Sequence, residues 1–218
     1  MEVNNIYEYL TETKKAVQDT FTLLKSYEEV ITSIPSRLWL LSEDQLQNPS
    51  KEIRHRLKKE NEYIRNIFSE NIISGLLLQF AYVGIDLFSK GKEISNDYSE
   101  LKEFKKIKKF FIGREINTIK NTGAFINKTK IGLIIYAGRN QWAHPLAKSL
   151  RRVNKVIFDR IAQRRGIYSK SEYVDPAFDL SEAKSKIFAT NILDLLGWKN
   201  YEDYEKDMLG MEKDFKSL

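Results

Sequence analysis

The chain contains no cysteine, which removes disulfide scaffolds, thiolate nucleophiles and every zinc site built on sulfur. Histidine is nearly as scarce, with only His55 and His144 present. These two lie far apart in sequence, so a histidine-based metal site needs carboxylates gathered by the fold, and no metal or cofactor is expected. Ten Gly and four Pro in 218 residues are too few for flexible linkers, turn-rich β-sandwiches or low-complexity chains. Long apolar runs are also missing. The most apolar stretch, Ile72 to Phe88, is interrupted by Ser74, Gln79 and Asp86 and falls short of the roughly 20 residues a membrane span requires. It reads as a buried helix, with no membrane partner expected. The N-terminal stretch MEVNNIYEYLTETKK has no basic segment leading into an apolar core, so no secretory signal is expected and the expected location is cytoplasmic.

What is present fits one ordinary domain over residues 1–218, since 42% of residues are hydrophobic and 30% charged and a chain this long buries a sizeable core unaided. The net charge of +6 is unevenly spread. Lys102 to Lys120 holds seven basic and two acidic residues, and Arg139 to Lys170 holds nine basic residues against Asp159 alone. From Ser171 to Leu218 the sign reverses, with eleven acidic and six basic residues. A basic middle suits an anionic ligand, because clustered Lys and Arg raise the local potential and steer polyanions. A solvated helix face carries the same signature.

Apolar residues at helical spacing mark a first helix through Ile6, Leu10, Val17, Phe21, Leu24, Val30 and Ile34, stopping before Pro35. Trp39 to Leu46 reads as a loop with a short helix. A polar helical stretch from Lys51 to Phe68 precedes the apolar run, and a break follows at Gly91 and Ser95-Asn96-Asp97. Leu101 to Ile119 is a basic helix candidate. Two helices, Lys130 to Ala143 and Leu146 to Arg165, meet at His144-Pro145, and after a loop come Ser181 to Leu196 and Tyr201 to Leu209, split at Gly197-Trp198. No strand pattern stands out, so the expected fold is an all-α helical bundle. Its core spans about residues 50–165, with a C-terminal helical extension over about 177–210.

The segment from Lys130 to Arg160 is the most specific. On a helix turning about 100° per residue, Ile131, Ile134, Ile135, Gly138 and Trp142 form one stripe and read as core. Leu133, Ala137, Asn140 and His144 form a second, mixed face that suits a partner subunit or a cleft. Pro145 excludes the helical region for the residue before it and places His144 at an elbow. A continuous helix holds Arg139 and His144 about 140° apart, whereas an elbow lets the imidazole swing toward the guanidinium. Beyond it, Leu146, Leu150, Val153, Ile157 and Ile161 face inward while Lys148, Arg151, Arg152 and Lys155 share an outer basic face.

Arg139-Asn140-Gln141-Trp142-Ala143-His144 resembles the signature of the HEPN superfamily, an Arg separated from a His by four to six residues with a polar residue after the Arg. The resemblance covers about thirty residues, Lys130 to Arg160. It implies a bundle of four or five helices with additions at the ends, and a metal-independent endoribonuclease of the toxin or phage-defence type. In such enzymes the RNA 2′-hydroxyl attacks the adjacent phosphate, leaving a 2′,3′-cyclic phosphate and a 5′-hydroxyl; DNA is spared. A histidine, titrating near pH 6.5, suits the proton transfers, which assigns general acid/base work to His144. Arg139 would fork onto phosphate oxygens and stabilise the transition state, and Asn140 would orient His144 or contact phosphate. Lys148, Arg151, Arg152 and Lys155 become candidate RNA contacts. The resemblance also implies a homodimer sharing one cleft, with Leu133, Ala137 and Asn140 at the interface. An antitoxin or regulatory protein is a further expected partner. The Tyr found two residues after the His in some HEPN toxins is Leu146 here, which makes control by nucleotide addition at that position doubtful. The competing reading is a non-catalytic helical module that binds RNA, a nucleotide or a protein.

Overall fold

The computed structural model describes residues 3–32, 50–117, 128–144, 152–165, 172–175, 177–180 and 187–215. Its architecture is all-α with two small hairpins attached. Helix α1 (Ile6–Thr32) begins on a reciprocal cap: Asn5 Oδ1 accepts from the Glu8 backbone N–H at 3.0 Å, and Glu8 accepts from Asn5 Nδ2 and the Asn4 N–H. This satisfies amide groups that a helix start leaves open. Ile6, Leu10, Val17, Phe21 and Leu24 are buried, as their spacing predicts.

Helix α2 (Lys51–Phe88) starts on Ser50, whose hydroxyl accepts from the Ile53 N–H. The polar stretch and the apolar run are one continuous 38-residue helix. In its first half Lys51, Glu52, His55, Lys58, Ile64, Arg65 and Phe68 are exposed, while Ile73, Leu77, Leu78, Ala81, Tyr82, Ile85 and Phe88 are buried in its second half. The stretch Tyr63–Phe88 is long and apolar enough to cross a membrane by composition; here its apolar part forms the centre of the core.

The basic segment after α2, expected as a helix over Leu101 to Ile119, is not one over its described residues 101–117. It forms two 3-10 turns, Asn96–Leu101 and Lys105–Phe110, followed by strand β1 (Glu115–Asn117). Ile107, Phe110, Phe111 and Ile112 are all buried, and the 3-10 turns place them inward without a continuous helix. Gly113 then turns the chain at φ +81°, where an added Cβ would stand 2.7 Å from Ile131 Cγ1. Strand β1 pairs antiparallel with β2 (Lys128–Lys130), Ile116 opposite Thr129. That hairpin launches helix α3 (Ile131–Ala143).

Helix α3 is enclosed by α2, the 105–110 turn, α4 (Arg152–Ala162) and α5 (Ala189–Leu196). Strands β3 (Gln163–Arg165) and β4 (Glu172–Val174) form the second hairpin. The strands escape a period-based reading because each is only three residues long. Helix α5 ends at Gly197, φ +74°, in the left-handed conformation that glycine adopts without steric cost. Helix α6 (Tyr201–Leu209) packs on α1, and its Tyr201 and Tyr204, which open a surface-like sequence, are buried. The C-terminal helices therefore complete the core. The chain end is clasped to the exit of α2 by a Ser89–Phe215 bridge, a Lys90 N–H to Asp214 carbonyl bond and the Lys92–Asp214 ion pair.

Candidate functional site

The motif residues occupy the last turn of α3. Gln141 and Trp142 are spent on packing: the buried Gln141 accepts the Phe188 N–H at 3.0 Å through Oε1, and the Trp142 indole lies against Gly75 of α2. These contacts fix the end of α3 on two neighbours. Arg139 is partly buried. Its Nε donates to Gln79 Oε1 at 2.6 Å, its Nη1 donates to Asn140 Oδ1 at 3.2 Å, and its guanidinium carbon stands 4.6 Å from the centre of the Tyr82 ring. All three partners are neutral, and no carboxylate pairs with Arg139 among the described residues. A partly buried guanidinium with only neutral partners keeps its charge uncompensated, which suits an incoming anion.

His144 follows at the helix end with φ −134° and ψ 55°, outside the helical region as the following proline dictates. Its side chain is exposed. Arg139 and His144 make no hydrogen bond to each other among the described residues; the guanidinium turns toward α2 instead. Asn140 Oδ1 is taken up by Arg139, and no Asn140–His144 hydrogen bond occurs among the described residues.

Arg152 and Lys155 are exposed on α4 while Val153, Ile157 and Ile161 are buried. Arg152 is paired with Glu103 at 2.9 Å. Lys148 and Arg151 lie outside the described residues, as do Leu146 and Leu150.

Leu133 and Ala137 are corrected from dimer interface to core. They are 0% and 1% exposed, because the second face of α3 finds its neighbours within its own chain. A buried side chain offers no surface to another copy. Asn140, the third interface candidate, is partly buried and engaged with Arg139.

No protein-family model, curated protein or solved structure matches the chain. The site therefore rests on its own chemistry. Gln79 and Tyr82, which hold Arg139, were not among the sequence candidates, although the polar interruptions of the apolar run signalled positions with work to do. Ser74 bonds Thr190 at 3.2 Å, Gln79 holds Arg139, and Asp86 pairs with Lys106 and Lys109. No cluster of metal-ligating side chains occurs among the described residues. Asp207 is instead committed to Arg114 and Trp198, and Asp203 accepts the Lys199 N–H. His55 is exposed on the solvent half of α2.

Proposed function

We propose that the chain is a metal-independent endoribonuclease of the HEPN type, acting in the cytoplasm as a toxin or phage-defence effector. The observation that carries this reading is the partly buried Arg139, held by Gln79, Asn140 and Tyr82 with no carboxylate among the described residues, on the same helix end as the exposed His144. Arg139 takes the phosphate oxygens and stabilises the charge that grows as the 2′-hydroxyl attacks. His144 is open to solvent and substrate and transfers the proton. Lys155 and Arg152, both exposed on α4 and the latter paired with Glu103, are further candidate contacts for an RNA backbone. One imidazole cannot accept and donate in the same step, so a homodimer pairing two motifs completes the acid/base set. An antitoxin or regulatory protein would restrain such an enzyme. No cofactor enters the reaction.

The test is incubation of purified protein with labelled tRNA and messenger RNA in EDTA, beside His144→Ala and Arg139→Ala. The expected result is cleavage that survives EDTA, leaves cyclic phosphate ends and falls by at least about 100-fold in both variants. No cleavage by folded wild-type protein overturns the reading. A second reading, a non-catalytic helical binding module, is favoured by the hydrogen bonds that Arg139 already makes to Gln79 and Asn140; it predicts RNA binding without cleavage.

A further inference from the structure

Tyr82 carries a second cation. Lys106 Nζ, from the 105–110 turn, stands 5.3 Å from the centre of the ring that also receives Arg139 at 4.6 Å. The two charges are therefore no more than about 10 Å apart, the sum of those distances. The ring also stacks on Phe110 at 4.8 Å and lies close to Tyr136. Residue 82 is itself buried, so the platform is fixed while the Lys106 side chain is 54% exposed.

Charge balance at this place is positive. Asp86 is shared by Lys106 at 3.6 Å and Lys109 at 3.2 Å, and Lys109 also donates to the Asp86 carbonyl at 2.6 Å. Lys109 is thus the better bound of the two, which leaves Lys106 the looser. With Arg139 on the neighbouring Tyr82, this stretch of α2 holds three cations against one carboxylate among the described residues. Hydrogen bonding to Tyr82 raises the Lys106 pKa, which keeps the ammonium charged.

We propose that Arg139 and Lys106, seated together on Tyr82, form a two-cation cradle for the phosphodiester backbone of RNA, with Lys106 a substrate-contacting residue outside the Arg139–His144 motif. The proposal rests on the ribonuclease reading and names how its substrate is gripped. The guanidinium forks onto one phosphate, and the ammonium, a mobile point charge on a long stem, meets the same phosphate or its neighbour. This gives one lysine of the basic segment, Lys106, a role distinct from that of its neighbours.

The experiment is fluorescence anisotropy of a short labelled single-stranded RNA with full-length His144→Ala protein over a range of salt concentrations. Adding Lys106→Ala is expected to weaken binding several-fold and to reduce the slope of log affinity against log salt by about 0.7, one phosphate contact on a single strand. Lys106→Arg restores both, and Lys105→Ala, an exposed neighbour, changes the slope much less. An unchanged slope in Lys106→Ala, or an equal loss in Lys105→Ala, overturns the proposal, with thermal midpoints confirming that every variant is folded. Wild-type cleavage with an unchanged slope sinks the cradle alone. A Lys106-dependent slope without wild-type cleavage sinks the nuclease reading alone, and no RNA binding at low salt sinks both.

Discussion

Placing a methyl group at Gly75 probes the contact that fixes the motif-bearing end of α3. An added Cβ would meet the Trp142 ring at 2.1 Å from Cδ1 and Nε1 and 2.3 Å from Cδ2, where ordinary contact begins at 3.4 Å. The indole must retreat by more than about 1 Å, and a ring wedged between helices cannot bend away as a flexible chain would. Overpacking of this kind costs about 1–3 kcal/mol, against about 1 kcal/mol gained when Ala replaces Gly inside a helix. With a rigid ring the upper end applies, so Gly75→Ala should destabilise by about 2 kcal/mol and lower the melting midpoint by about 4–8 °C. Urea unfolding followed by circular dichroism measures it. Trp142→Leu makes room, so the double variant should be more stable than the two single losses predict, by about 1–2 kcal/mol of coupling. A Gly75→Ala protein more stable than wild type, or strict additivity in the double variant, would refute the packing argument.

Two further predictions concern stability. Asp207 accepts Arg114 Nε at 2.7 Å, Arg114 Nη2 at 2.8 Å and Trp198 Nε1 at 2.8 Å, so Asp207→Asn sets an amide N–H against donors and removes the charge. With the Arg114 side chain 48% exposed, the loss should be about 2–3 kcal/mol rather than the larger cost of a fully buried pair, and a urea midpoint shift equivalent to less than about 0.5 kcal/mol rejects it. Glu70 has its pKa raised from 4.5 to about 7 by burial, then by Glu28 and Asp194. Its folded-state pKa lies above the unfolded one, so its contribution to stability is fully present below about pH 4.5 and lost as pH rises through about 7. Glu70→Gln should flatten the fall in melting midpoint across that window and leave the protein more stable than wild type above it; superimposable pH profiles contradict the assignment.

The sequence makes the first helix plain, because Ile6, Leu10, Val17, Phe21 and Leu24 repeat at the helical period and all turn inward. Helix α2 is harder to delimit. Its composition changes near residue 70 where it passes from solvent into the core, and composition reports burial rather than continuity. Leu133 and Ala137 show a different limit: periodicity reveals a second apolar face, but whether the chain or another copy covers it depends on the tertiary arrangement. Arg139 and His144 stand out because their spacing is local. Gln79, Tyr82 and Lys106 do not, since they come to the site from other elements; Gln79, which bonds Arg139, is 60 positions away in sequence. A polar residue inside an apolar run marks a need for a partner without naming it.

The clasp between the exit of α2 and the chain end bears on how the protein is made. Ser89 meets Phe215 across about 126 positions, and contacts of such separation form late because loop-closure entropy precedes their reward. On the ribosome, at about 5–20 residues per second, residues 143–215 emerge over roughly 4–14 seconds. Until then α1 waits without α6, and α3 waits without α5. During that interval the faces of α1 and α3 that α6 and α5 will cover stay open, so the C-terminal helices are the last part of the core to close.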